Sequence, residues 1–211
     1  MSWGDLRFSD NAKTDLIYGD KKLTNKINVI MNVNKSISSL LLIFATITVH
    51  SQTLKNTSYK NQSGEKVLRF ECVIPVSLND AWKLFTNDEK LKKWIAPLAH
   101  IELKAGGYII TNYDESKGLL DSSSIKLPIT SFIDNELLVL KVVLNDHFAK
   151  SVKDSDENLQ EVIQFIKVDN KHTKIVSSMI GWGTGTDWDK TYDFFVKGNE
   201  WTYQELLKNY K

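Results

Sequence analysis

Residues 184–210 constrain the fold of this chain more than any other stretch. Trp188, Tyr192, Phe195, Tyr203, Leu206 and Tyr210 recur at helical spacing and share one side, whereas Asp189, Lys190, Asp193, Lys197 and Lys208 fall mostly elsewhere. That pattern predicts an amphipathic helix whose buried stripe is aromatic. Thr186 followed by Asp189 has the form of a capping box, the hydroxyl taking an orphan backbone N–H and the carboxylate sitting at the positive end of the helix dipole. About 24 residues of helix run roughly 36 Å, enough to cross a small sheet. Gly198 costs about 1 kcal/mol relative to alanine and marks a candidate bend. A helix of that length with one apolar side needs a broad surface to lie on.

The sequence before it supplies strands. From Lys66 onward Leu68, Phe70, Cys72, Ile74 and Val76 alternate with Val67, Arg69, Glu71 and Val73, which predicts a half-buried strand ending near Pro75. Ser77 to Asp80 forms a second capping box and opens a helix through Ala81, Trp82, Leu84 and Phe85. Asn87-Asp88 starts a short helix through Leu91, Trp94 and Ile95, which Pro97 ends. Ile101–Lys104 and Tyr108–Tyr113 pair across Gly106-Gly107, and residues 122–132 and 136–144 pair across Asp134-Asn135. Residues 145–158 are a charged surface connection with room for one helical turn. Residues 161–168 and 172–182 form a last hairpin across Asp169-Asn170. The glycines at 181, 183 and 185 end that strand. The order is one strand, two helices, about six strands and one long helix. Hairpin-linked strands make an antiparallel sheet, so the class is α+β with the C-terminal helix covering one face. A curved sheet wrapped on a helix leaves a space between them, a common place for ligands.

The N-terminal quarter reads differently. Ile37 to Val49 is an apolar run behind Lys35, and Val49 and Ser51 stand where a signal peptidase selects small residues. The run is shorter than the roughly 20 apolar residues of a stable membrane span. We read 31–51 as a secretory signal cut before Gln52, with translation starting at Met31 and residues 1–30 an over-long gene start or a disordered extension. Residues 52–65, rich in Asn, Ser, Thr and Gln, read as a flexible leader, and 66–211 as the folded domain. With that signal the protein is exported, periplasmic or extracellular; without it, cytoplasmic.

Charge and cysteine content narrow the function. Net charge is +1, and residues 52–211 carry 21 basic and 22 acidic side chains, so no basic surface for a nucleic-acid backbone is visible. Cys72 is the single cysteine, which rules out a disulfide within the chain, and it lies on the apolar side of its strand as a core thiol. His50, His100, His147 and His172 lack metal-ligand spacing, and no zinc site is expected. No nucleophile elbow, phosphate loop or dinucleotide fingerprint is present, and Gly181-x-Gly183-x-Gly185 reads as a strand-to-helix connection. No cofactor is expected.

Several short motifs together resemble one superfamily. Ala81-Trp82-Lys83-Leu84-Phe85-Thr86, Leu91-Lys92-Lys93-Trp94-Ile95-Ala96-Pro97, Gly106-Gly107-Tyr108 and Gly181-Trp182-Gly183 followed by Trp188-Asp189-Lys190 are similar to the SRPBCC (START-like, helix-grip) superfamily, and most to its branch named for the activator of the heat-shock-protein-90 ATPase. The likeness covers roughly Val67 to Lys208. Where the branch often carries a second tryptophan after the position of Trp94, this chain has Ile95. The resemblance implies a helix-grip fold, a curved antiparallel sheet of six to seven strands (β-α-α-β6-α) wrapped on a long C-terminal helix. It specifies fold well and function poorly, since one scaffold hosts binders, carriers and enzymes.

In such a fold Trp82, Phe85, Trp94, Tyr108, Trp182, Trp188, Tyr192 and Phe195 surround the interior and are the candidate ligand-cavity residues. Indole and phenol groups combine a large apolar area with one polar handle, which suits an amphipathic ligand. Aromatic rings that fill a core and rings that line a cavity look alike in sequence, so both readings stand at this stage. Asp189 and Asp193, four apart on the final helix, are a candidate acid–base pair if buried and ordinary surface charges if not. Three functions follow. The first is an exported binder of a small hydrophobic or amphipathic molecule. The others are a cyclase- or hydrolase-like enzyme using Asp or Tyr groups of the cavity, and a protein-interaction module with a filled core. No catalytic residue is assigned, and the absence of a catalytic constellation favours the binder over the enzyme; a protein partner stays open.

Overall fold

A computed structural model describes residues 53–210. The readings of residues 1–30 and 31–51 lie outside the described residues.

Strand β3 (Lys66–Ile74) follows two short strands, β1 (Lys55–Asn56) and β2 (Tyr59–Lys60). Helix α1 (Leu78–Thr86) begins as its sequence predicts: Ser77 Oγ accepts the Asp80 N–H at 3.2 Å and donates to the Asp80 carboxylate at 2.7 Å. Asn87 leaves α1 in an extended conformation and at once caps α2 (Asp88–Leu91), accepting the Lys90 N–H at 3.2 Å. One residue therefore sets the corner between the two helices. Strands β4 (Leu98–Glu102), β5 (Tyr108–Asn112), β6 (Ile125–Ile133) and β7 (Leu137–Lys141) come next. A single short helix, α3 (Lys150–Ser155), interrupts the charged connection. Strands β8 (Gln160–Lys167) and β9 (Thr173–Ile180) and helix α4 (Thr186–Lys208) complete the domain.

All pairings are antiparallel. β4 to β9 form a meander in chain order, and β3 joins at the far side of β9, with β1 and β2 on its outer edge. A register shift between Ile129 and Ser131 interrupts the β6–β7 ladder, an irregularity of the kind that bends and twists a strand. Alternation then decides what faces α1 and α4. Leu68, Phe70 and Cys72 on β3, Ile175 and Met179 on β9, Ile163 and Phe165 on β8, and Leu138 and Leu140 on β7 are all buried in one continuous core. Trp82 and Phe85 of α1 set their rings edge-on against Phe165, with centroids 5.2 and 5.0 Å apart. The fold is the helix-grip arrangement that the sequence implies.

One expectation is corrected. The capping box at Thr186 does not form. Helix α4 is capped by Gly185, whose φ of 104° lies where glycine is favoured, and no side chain supplies a cap bond. The chain has to turn sharply out of β9, and only a glycine enters the helix from that conformation at little cost. The Asp189 carboxylate is instead drawn to Lys66 on β3. Of residues 52–65, read as a flexible leader, the described part, 53–65, pairs with β3 through β1 and β2. Thr57 donates its N–H to Arg69 O at 2.8 Å, and the Arg69 N–H reaches Ser58 Oγ at 3.0 Å. An edge strand offers unpaired N–H and C=O groups, and this segment takes them. Helix α4 continues through Gly198 without a break.

Candidate functional site

A cavity of about 50 Å³ lies between the sheet and α4. Phe85 of α1, and Leu91, Trp94 and Ile95 in and after α2, close one side. Ile109, Leu127, Leu140 and Ile163 rise from β5, β6, β7 and β8, while Asn199, Thr202 and Tyr203 descend from α4. Most of the wall is hydrocarbon and aromatic. The Trp94 indole is fixed by its N–H, which donates to Leu84 O at 3.0 Å, and its ring lies 4.7 Å from Phe85 and 6.1 Å from Tyr203.

One acidic side chain enters this wall. Glu161 on β8 is in phase with Ile163 and Phe165, so strand alternation turns it toward α4. Its direct neighbours across the sheet are Leu140 on β7 and Met179 on β9. Ser177 Oγ donates to Glu161 Oε1 at 2.6 Å, and the Tyr203 hydroxyl donates to the same oxygen at 3.0 Å. Among the described residues Oε2 takes no hydrogen bond and no cation lies within ion-pair distance. Burial pushes the Glu161 carboxyl above its ordinary value, against the opposing pull of the Ser177 and Tyr203 bonds. Burial also raises the Tyr203 phenol well above its ordinary value, and the neighbouring Glu161 charge adds to this. Of the other polar wall groups, the Thr202 hydroxyl is spent on Gly198 O at 2.9 Å and Asn199 Nδ2 sits 3.1 Å from Met179 Sδ.

The eight aromatic candidates divide. Phe85 and Trp94 line the cavity. Trp82 is buried beside it, against Phe165 and Phe132. Tyr108 precedes Ile109, a wall residue, and therefore points to the opposite face, where Lys126 Nζ stands 3.8 Å over its ring. Trp182, Trp188, Tyr192 and Phe195 form a second cluster around the first half of α4. The Trp182 ring lies 4.9 Å from Tyr192, 5.8 Å from Phe195 and 6.4 Å from Trp188. Phe148 stacks on Phe195 at 5.5 Å, and Trp188 Nε1 donates to Ser155 Oγ at 3.0 Å, tying the cluster to α3. A Cβ on Gly183 would come within 2.2 Å of the Trp188 indole, so glycine there is what lets the ring pack. These four rings fill space rather than line the cavity. Sequence spacing put Trp188, Tyr192 and Phe195 on the same stripe as Tyr203, but the stripe spans two different packing environments.

The other chemical candidates lie elsewhere. Asp189 and Asp193 are exposed on α4, away from the cavity, so they do not form the acid–base pair considered above. Burial raises the Cys72 thiol to about 12, which keeps it protonated in the core. Among the described residues no group of three or more His, Cys, Asp or Glu could hold a metal, and no helix is long and apolar enough to cross a membrane. Glu161 was legible only through its phase with Ile163 and Phe165; a charged residue beside Gln160 reads as the polar start of a strand.

A family model described as Activator of Hsp90 ATPase homolog 1-like protein matches residues 75–210. The chain belongs to this family. The match begins at the end of β3 and runs through both short helices, the meander and α4. Solved structures share the fold. The chain is similar to the Aha1 dimer from Colwellia psychrerythraea, with 18% identity, a TM-score of 0.50, and 68% of this chain and 92% of that chain covered. It is also similar to a protein from Thermobifida fusca, with 12% identity, a TM-score of 0.51 and the same coverage of 68% and 92%. At these identities the likeness is one of fold. No curated protein matches the chain in sequence. The family places the domain in the SRPBCC superfamily, in its Aha1-like branch.

Proposed function

We propose that this protein is an exported binding domain that holds a small hydrophobic or amphipathic molecule between the sheet and α4. The observation that carries this reading is the cavity itself, apolar on most sides and polar at one corner, where Glu161, held by Ser177, meets Tyr203. Ligand sites share that composition, an apolar enclosure with a few polar groups that fix orientation. The volume of about 50 Å³ is far below the roughly 300–1,000 Å³ of drug-sized sites, so the ligand is small or enters as α4 moves off β7 and β8. Export rests on the reading of residues 31–51. It also separates the chain from any cytosolic chaperone, so ATPase activation is not the activity proposed. The mature protein is expected to begin at Gln52, and N-terminal sequencing checks it.

Trp94 makes the binding test direct, because its indole is in the wall. Lipids, sterols and aromatic polyketides are titrated while tryptophan fluorescence is followed in the wild type and in Trp94→Phe. Saturable quenching by one class, reduced in the variant, is the expected result. A flat response from the folded protein across the panel would favour an interaction module with a filled core. One observation supports a second reading as an acid–base enzyme: a carboxyl with a raised proton affinity touches a phenol at the cavity wall. Turnover of a bound ligand that disappears in Glu161→Gln would select that reading.

A further inference from the structure

We infer that the cavity takes a small organic cation, an alkylammonium whose charged head sits at Glu161 Oε2 and whose chain lies along the hydrocarbon wall. The inference rests on the binder reading and names the chemistry of its ligand.

Glu161 differs from the other shielded carboxylates of the domain. Glu71 has both Arg69, at 2.9 Å, and Lys174. Asp156 takes Lys141 Nζ at 3.0 Å on each oxygen. Glu161 has two neutral hydroxyls, both on Oε1, and its sheet neighbours are Leu140 and Met179. A carboxylate withdrawn from water is costly unless a proton or a cation joins it. The protein supplies hydrogen bonds to one oxygen and none to the other, and Glu161 is part of a cavity wall that contains no Lys, Arg or His.

The rest of the wall suits the same guest. Phe85, Trp94 and Tyr203 bring three aromatic rings to the same cavity wall as Glu161, and ring faces attract ammonium groups most strongly where water is excluded. Leu127 and Ile109 offer apolar surface for a short chain. An anion would meet Glu161 with no basic residue to hold it. A neutral alcohol could hydrogen-bond to Oε2 but brings no charge to pair with the ionised carboxylate.

The test uses the full chain and three probes of equal size: n-butylammonium, n-butanol and butyrate, titrated with detection at the Trp94 indole N–H by NMR. n-Butylammonium is expected to bind roughly tenfold more tightly than n-butanol, the scale of one charge-assisted hydrogen bond, with no binding of butyrate. Glu161→Gln should reduce amine binding by about the same factor and leave n-butanol nearly unchanged. Equal affinity for amine and alcohol, preference for butyrate, or undiminished amine binding by Glu161→Gln would each overturn the inference. If n-butanol or the lipid panel binds without amine preference, the binder reading survives alone. If nothing in either panel binds the folded protein, both fall. Should Glu161→Gln fail to fold, the wild-type ranking of the three probes decides.

Discussion

Glu161 couples protonation to folding, and the sign of the coupling is set by its environment. Burial raises its proton affinity in the native state, while the unfolded chain returns it to the ordinary carboxyl value of about 4.3. Between those two values the native state holds a proton that the unfolded state has lost. The stabilisation from Glu161 is therefore complete below the unfolded value and is lost as pH rises through the folded one. Glu71 behaves in the opposite way, because its bond to Lys174 holds it below the usual range, so its contribution disappears as pH falls. Comparing wild type with Glu161→Gln isolates the first effect. Urea unfolding from pH 4 upward should show wild-type stability declining relative to the variant. Parallel curves would mean that Glu161 holds no extra proton. The Ser177 and Tyr203 hydroxyls oppose this rise, and at 2% and 4% exposed they are little weakened by solvent.

At the level of elements, the two capping boxes read in the sequence have different outcomes, and both follow from backbone geometry. Ser77 is extended and free to turn its hydroxyl onto the Asp80 N–H. Thr186 is already the first helical residue, so its side chain stands outside the cap position. Ser77→Ala should cost about 1 kcal/mol of stability, whereas Thr186→Ala should stay within about 0.5 kcal/mol of wild type. Chemical denaturation of the two variants checks the contrast; equal losses would mean that Thr186 caps α4 after all. The same element shows why helical spacing alone does not separate the cavity-lining positions of α4 from its other packed positions. Trp188, Tyr192, Phe195 and Tyr203 share a side of α4, yet the first three meet Trp182, Phe148 and Ser155, and only Tyr203 meets Glu161 and Trp94.

For the molecule as a whole, the sheet ends at β4 on one side and at β3 on the other, with β1 and β2 covering part of the β3 edge. Uncovered edges recruit strands from other molecules. A chain beginning at Glu65 should therefore unfold at lower temperature and self-associate more than one beginning at Gln52, measured by thermal unfolding and light scattering. Identical behaviour would show that the segment contributes nothing to the edge. The sequence alone determined the elements and their order: alternation at Leu68 to Ile74, the cap at Ser77, the helix start at Asn87-Asp88 and the hairpin turns at Gly106-Gly107 and Asp134-Asn135. Those signals act between residues close in the chain, so they are written locally. The pairing of residues 53–60 with β3, the separation of the aromatic rings into two environments and the isolation of Glu161 were decided by tertiary structure. Each depends on which strands lie side by side and in what register, and on where α4 crosses them. Glu161 meets Ser177 and Tyr203 only because β8 pairs with β9 in one particular register beneath α4, a condition set by contacts between residues distant in sequence.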